Sequence, residues 1–258
     1  MDTWTDSLRE KYARFKEALA LPEPPLVAYY TDEEPENAVQ PPQERHSCII
    51  GLLRRARRES ITVYFDSEHF GCMGGGYYMG FLKTPRPKIE YFLSCGIPGE
   101  LEGERYIKTP ERAREFFARL QPLKAPARYG VFQPLDCLNP DQEPLVEIFF
   151  APPDVLSGLV VLTCFALEST QAVSLPFSSG CGSILTLPLK EADKDRPGAV
   201  LGMFDVSARP FVEPDVLTLA MPHGIFLSLL DNVGESFLIT ESWHTIRKRI
   251  EGVGHDKK

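Results

Sequence analysis

The chain of 258 residues lacks the features that mark several large classes of protein. It has no apolar run of about 18 residues, which a membrane-spanning helix needs. Its first residues, MDTWTDSLREKYARFKEAL, lack the positive and apolar regions of a secretory signal. It also lacks an excess of positive charge, since 28 Lys and Arg stand against 36 Asp and Glu, a formal net charge of −8. We therefore expect a cytoplasmic protein that binds neither a membrane nor a nucleic acid.

Familiar metal, redox and phosphate motifs are missing as well. None of the six cysteines forms a Cys-x-x-Cys pair, so a zinc ribbon or a thioredoxin-like site is not indicated. The glycine-rich stretch HFGCMGGGYYMGF (69–81) lacks the Gly-Lys-Ser/Thr of a P-loop. It also lacks a Gly-x-Gly-x-x-Gly that opens a helix, so it is not a dinucleotide fingerprint. In a cytoplasmic chain, the cysteines are then thiols or metal ligands rather than a disulfide framework.

Hydrophobic spacing and turn residues predict an α+β fold in which mixed β-sheets are flanked by helices. The whole chain, 1–258, is interpreted as a single domain. Helices are predicted over about 3–20, 47–59, 109–120, 154–167, 223–232 and 240–251. Strands are predicted over about 26–31, 61–65, 88–96, 144–150, 171–176, 182–188, 198–206 and 215–221. The stretch 69–81 is expected to be a loop.

The two halves of the chain share an order of elements that indicates an internal duplication. PLVAYYTDEEP at 25 resembles PLVEIFFAPPD at 144, and two gaps align 52–72 with 159–181. The first repeat is expected over about 22–135 and the second over about 143–235, before the C-terminal helix. Two such halves pack about a pseudo-twofold axis, which would place Cys72 and Cys181 in equivalent turns that face one shared site. Cys48 has no counterpart, so the site would be asymmetric.

Four segments carry a resemblance to a known family: HSCIIGLLRRA, GCMGGGYYMGF, SSGCGSI and FDVSARP, in this order. On these segments the chain resembles DUF169, a widespread bacterial and archaeal family of uncharacterised proteins. The resemblance covers about Pro24 to Arg249. It implies no reaction, but it implies a set of positions, namely Cys48, Cys72, Gly74, Gly75, Gly76, Cys181, Asp205 and Arg209.

The leading hypothesis is a thiolate-bound metal, with an iron–sulfur cluster preferred, held between the two halves by Cys48, Cys72 and Cys181. Cys48 lies in the first turn of a predicted helix, where the helix dipole lowers the pKa of a thiol. The other two lie in glycine-flanked turns, which let the backbone approach a cluster. Cys95 is a candidate fourth ligand, and Arg209 would balance negative charge. The alternative is that these thiols are small core residues, as is expected for Cys137 and Cys164.

A second hypothesis is a metal-free enzyme or sensor that binds a small anionic metabolite on the Gly74–Gly76 loop. Consecutive N–H groups can cradle an anion, and Tyr77 and Asp205 would complete the site. Arg209 suits a carboxylate or a phosphate. The alternatives are a glycine bulge between crossing strands and an Asp205–Arg209 ion pair that holds a turn.

A third hypothesis is an interaction protein, a homodimer in which every cysteine is structural. The basic run RRARR (54–58) would support nucleic-acid binding only with clustered aromatic residues and net positive charge around it. Arg54, Arg55 and Arg58 share one face of the predicted helix, which is better explained as a solvated face.

Overall fold

The computed structural model describes residues 4–42, 47–120 and 123–252. The helices of these ranges are α1 (Asp6–Ala18), α2 (Ile49–Glu59), α3 (Met73–Tyr78), α4 (Ile89–Phe92), α5 (Pro110–Arg119), α6 (Pro153–Ala166), α7 (Leu187–Ala192), α8 (His223–Asp231) and α9 (Glu241–Ile250). The strands are β1 (Leu26–Thr31), β2 (Val63–Phe65), β3 (Tyr129–Pro134), β4 (Val146–Ala151), β5 (Val173–Ser174), β6 (Ala199–Gly202) and β7 (Leu217–Pro222). A π-helical segment, Gly182–Thr186, leads directly into α7.

The strands of the described ranges form one seven-stranded sheet in the order β2-β3-β1-β4-β7-β6-β5. All neighbouring strands are antiparallel except β5 and β6, which are parallel. The prediction of an α+β fold with a mixed sheet is confirmed. None of the helices in the described ranges is both long and apolar enough to cross a membrane.

Helices cover both faces of this sheet, because side chains alternate along each strand. Val27 and Tyr29 of β1 point into the core of the first face, beneath α1, α6, α8 and α9. Leu26 and Ala28 point into the core of the second face, beneath α2, α3 and the helical segment after Gly180. Two packed layers of helix around one sheet therefore bury the apolar residues of the chain.

Two predicted strands are helical, and one strand was missed. Residues 89–92 form α4, and residues 182–192 form the π segment and α7. Short apolar runs do not distinguish a strand from a buried helix, and Ser179 Oγ here accepts the N–H of Gly182, as a helix cap does. Strand β3 follows a Pro-rich connection and is held by pairing with β1 and β2, which are distant in sequence.

The internal duplication is not confirmed and stays a prediction. The strands matched by the alignment, β1 and β4, do lie side by side and antiparallel. A two-fold axis normal to the sheet relates such strands and keeps equivalent elements on the same face. However, the matched helices α2 and α6 cover opposite faces of the sheet.

A thiol-lined aromatic cavity as the candidate functional site

A cavity of about 560 Å³ lies on the second face of the sheet, between the two halves of the chain. The first half contributes the start of α2, helix α3, the segment 85–93 and the end of α5. The second half contributes the segments 177–181 and 205–211. The volume is within the range of about 300–1,000 Å³ that small-molecule sites occupy.

Eight aromatic side chains line this cavity. They are Tyr77, Tyr78, Phe92, Tyr106, Phe116, Phe117, Phe177 and Phe211. Several meet edge to face, as Tyr77 does with Tyr78 at 5.5 Å between ring centroids and with Phe117 at 6.1 Å. Such contacts hold the rings in fixed orientations and present a rigid apolar surface.

Three cysteines from separate elements meet at the wall of the cavity: Cys48, Cys72 and Cys181. Cys48 is the N-cap residue of α2 and Cys72 is that of α3. The Cys72 Sγ atom accepts the backbone N–H of Gly75 at 3.2 Å. The side chain of Cys181 forms a hydrogen bond with that of Cys72. The structure thus brings together the three thiols that the sequence singled out.

Two of these thiols are protonated at neutral pH. The hydrogen bond with Cys72 and burial raise the pKa of Cys181 well above its ordinary value, and the charges of Cys72, Cys48 and Asp205 add to the effect. Burial also raises the pKa of Cys48, although backbone hydrogen bonds from Ile50 and Gly51 oppose it. The prediction that the helix dipole lowers the pKa of Cys48 is therefore wrong, because desolvation outweighs the helix terminus.

The geometry does not support a metal centre. Within the described ranges, no group of three or more His, Cys, Asp or Glu side chains is arranged to hold a metal ion. The expected fourth ligand, Cys95, is exposed and lines a different cavity, formed by residues 95–105. A core position was expected for the remaining two cysteines. Cys164 is half-buried, but Cys137 is exposed, so the expectation is wrong for Cys137.

The glycine-rich stretch is helical rather than a loop. Two of its backbone N–H groups are used at the start of α3, since Gly75 donates to Cys72 Sγ and Gly76 donates to the Cys72 carbonyl at 2.9 Å. Gly74 lines the cavity, as does Tyr77. Gly75 and Gly76 are buried instead, and a Cβ atom would lie 2.7 Å from Ile49 Cγ2 at Gly75 and 2.8 Å from the Phe70 ring at Gly76. These two glycines allow close packing of α3 and do not form an anion cradle.

Asp205 and Arg209 hold the wall of the cavity without pairing to each other. The buried carboxylate of Asp205 accepts the N–H of Gly180 at 3.1 Å and both the N–H and the hydroxyl of Ser207, at 3.0 and 2.7 Å. The guanidinium of Arg209 donates to the carbonyls of residues 213, 214 and 216 and does not line the cavity. Asp205 thereby fixes the turn that carries Cys181.

A family model described as "Uncharacterised ArCR" matches residues 14–232 of the chain. The chain belongs to the DUF169 family. No curated protein and no solved structure matches it. The segments that carried the resemblance therefore identified the family correctly, and in this DUF169 member they lie around one cavity.

One charged residue of the DUF169 cavity was missed by the sequence analysis. Arg86 lines the cavity, with its guanidinium carbon 4.2 Å from the centroid of the Phe92 ring. No hydrogen bond or ion pair joins it to another side chain in the part of the chain that the structure describes. A single arginine in the segment TPRPK (84–88) belongs to no motif, so only the folded chain reveals its position.

The basic run of α2 is engaged by carboxylates. Arg54, Arg57 and Arg58 form ion pairs with Glu213, and Arg55 pairs with Glu59. Arg57 is buried and lies over the ring of Phe150 at 4.2 Å. The ion pairs of Arg54, Arg57 and Arg58 with Glu213 join α2 to the second half of the chain.

Proposed function

We propose that this DUF169 protein binds a small organic anion with an aromatic or other flat apolar body in the cavity between its halves. The observation that carries the proposal is a cavity of about 560 Å³ with eight aromatic side chains and one arginine in its wall. An apolar pocket with a few polar groups is the usual form of a small-molecule site.

The aromatic wall supports the apolar body of the ligand. Burial of apolar surface stabilises a complex by about 25 cal/mol per Å², and the edge-to-face ring contacts fix the wall before a ligand arrives. A rigid wall loses little conformational entropy on binding. The neutral thiols of Cys48 and Cys181 add no charge that would oppose an apolar group.

Arg86 supports the anionic end of the ligand. A guanidinium binds carboxylates and phosphates through a planar set of donors, and stacking on Phe92 holds this one in place. Arg86 takes the role that the sequence analysis gave to Arg209, whose donors are already bonded to backbone carbonyls.

A thermal-shift and calorimetric screen of aryl carboxylates tests this function. Benzoate and naphthoate derivatives should bind, and their uncharged amides should bind more weakly. Arg86→Gln should weaken carboxylate binding about tenfold or more, because hydrogen bonds to charged groups contribute about 1.5–3 kcal/mol. Lys83→Gln is the matched control, since Lys83 is exposed, close in sequence and not part of the cavity wall. Equal effects of the two substitutions would contradict the assignment of Arg86.

Filling the cavity provides an independent test. Gly74 lines the cavity, and a Cβ atom there meets no other atom within 4 Å. Gly74→Leu should therefore abolish binding while the protein remains folded. Gly224→Leu is the control, because Gly224 also has space for a Cβ atom but is exposed in α8, away from the cavity. Unchanged binding to Gly74→Leu would exclude this cavity as the site.

A further inference from the structure

We propose that Cys72 and Cys181 form a redox-active dithiol pair that reduces a small disulfide bound in the cavity. The inference rests on the proposed function, because the disulfide must enter the same cavity. It adds a reaction, thiol–disulfide exchange, and a substrate class, a disulfide whose substituents are apolar or aromatic and carry an anionic group.

The two sulfurs are adjacent, and Cys72 is half-buried whereas Cys181 is buried. Their side chains are joined by a hydrogen bond, and both residues line the wall. They belong to different helical segments, one before α3 and one before the π segment. Neither Cys72 nor Cys181 is part of a disulfide in the structure. A bond between them would link the two halves of the chain at the cavity.

The contacts give the two thiols different roles. Cys72 Sγ accepts the N–H of Gly75. The neighbouring Cys181 is the thiol that stays protonated, because of its hydrogen bond with Cys72 and its burial. Donors directed at a sulfur stabilise its thiolate, which is the attacking species in exchange. Cys72 is therefore the attacking residue, and Cys181 is the resolving residue.

The reaction balances without another reagent. The sulfur of Cys72 attacks one sulfur of the bound disulfide, a mixed disulfide forms, and the first small thiolate leaves with the proton of Cys72. The sulfur of Cys181 then attacks the Cys72 sulfur. The Cys72–Cys181 disulfide forms, and the second small thiolate leaves with the proton of Cys181. The two cysteines lose two electrons in total, and the small disulfide gains them as it becomes two thiols.

An aryl disulfide with carboxylate groups, 5,5′-dithiobis(2-nitrobenzoate), has the chemistry that the cavity favours and releases a coloured thiol. The full chain should be used with Cys95, Cys137 and Cys164 changed to Ser, because these three lie outside the cavity wall. One equivalent of reagent should release two aryl thiols. The protein should lose two hydrogens in its intact mass, and peptide mapping should link residues 72 and 181.

Single substitutions in this background separate the roles. Cys181→Ser should release one aryl thiol and keep the other as an adduct on Cys72. Cys72→Ser should slow the first release at least about tenfold. Cys48→Ser should still give the 72–181 link, because Cys48 lines the cavity but takes no part in the exchange. A stable aryl adduct in the parent, or a crosslink from Cys48 to either partner, would overturn the inference.

Failure of this inference can be told from failure of the proposed function. The non-reactive analogue 4-nitrobenzoate should raise the melting temperature of the Cys72→Ser variant. If it binds and no 72–181 link forms, only the exchange reaction is refuted. If the link forms with an uncharged cyclic disulfide while no aryl carboxylate binds, the dithiol pair stands and the proposed ligand class is refuted.

Discussion

Cys48 experiences opposing electrostatic effects at the wall of the cavity. Backbone N–H groups at the start of α2 stabilise the thiolate of Cys48, but removal from water costs more, and the net effect raises the pKa. The pKa of Cys181 is raised further, since a hydrogen bond with Cys72 favours the protonated thiol. Burial, which the sequence does not show directly, thus decides the chemistry of a thiol at a helix terminus.

Glu147 gives a pH dependence that can be tested at the scale of a single residue. It is fully buried on β4, with Oε1 at 2.6 Å from His223 Nδ1. Burial raises its pKa, and the contact with His223 offsets only part of the rise. The folded state therefore holds the proton more tightly than the unfolded state. This stabilisation is fully present at pH below the pKa that Glu147 has in the unfolded chain. It is lost as the pH rises through the higher pKa of Glu147 in the folded protein.

Glu147→Gln should remove this slope, because the amide keeps a hydrogen-bonding group near His223 without a charge. The free energy of unfolding, from urea titrations between about pH 5 and 8, should fall with pH in the parent and less steeply in the variant. Glu143→Gln is the control, since Glu143 is exposed and close in sequence. A parent whose stability rose with pH over this range, with no change on substitution, would contradict the assignment.

At the scale of elements, local signals predicted those helices that carry their own caps and periodicity. Thr109 and Pro110 indicated the start of α5, and Thr109 Oγ accepts the N–H of Arg112 at 3.3 Å. The regions predicted wrongly are held by distant partners. Thr186, within a predicted strand, donates its hydroxyl to the Tyr78 carbonyl, 108 residues away. β3 likewise depends on β1, and such non-local pairing has no periodic signature in one segment.

Helix α3 illustrates how three consecutive glycines take different roles. Gly74 has space for a side chain, whereas Gly75 and Gly76 do not. Gly74→Ala should stabilise the protein by about 0.5–1 kcal/mol, because alanine has the higher helix propensity. Gly75→Ala and Gly76→Ala should destabilise it by about 1–3 kcal/mol, since the new Cβ atoms press on Ile49 and Phe70. Urea unfolding of the three variants measures these differences, and equal stabilities would mean that α3 is not closely packed.

At the scale of the whole molecule, the cavity depends on both halves of the chain. Cys48 and Cys72 come from the first half and Cys181 from the second. The sequence singled out Cys72 and Cys181 by their glycine-flanked turns, and the family resemblance added Cys48. It did not reveal Arg86 or most of the aromatic wall, because those residues belong to α4, α5 and connecting segments without a motif. Their convergence follows from the packing of helices over one sheet.

Because one sheet joins the two halves, we expect the protein to unfold in a single cooperative transition. β1 pairs with β3 on one side and with β4 on the other, so hydrogen bonds join the two halves at the centre of the sheet. Each central strand also sends side chains into the cores of both faces. Loss of the sheet should therefore expose both cores together, as in two-state unfolding.

Two probes on opposite faces can measure this cooperativity. Trp4 and Trp243 are buried in the first core, and Cys181 is buried beneath the helices of the second. In a Cys95→Ser/Cys137→Ser background, tryptophan fluorescence and pulsed alkylation of Cys181, read by peptide mass, should give the same urea midpoint. Alkylation at lower urea than the fluorescence change would show that the cavity face opens alone. The halves would then be separate folding units, and the sheet between them would not couple the two cores.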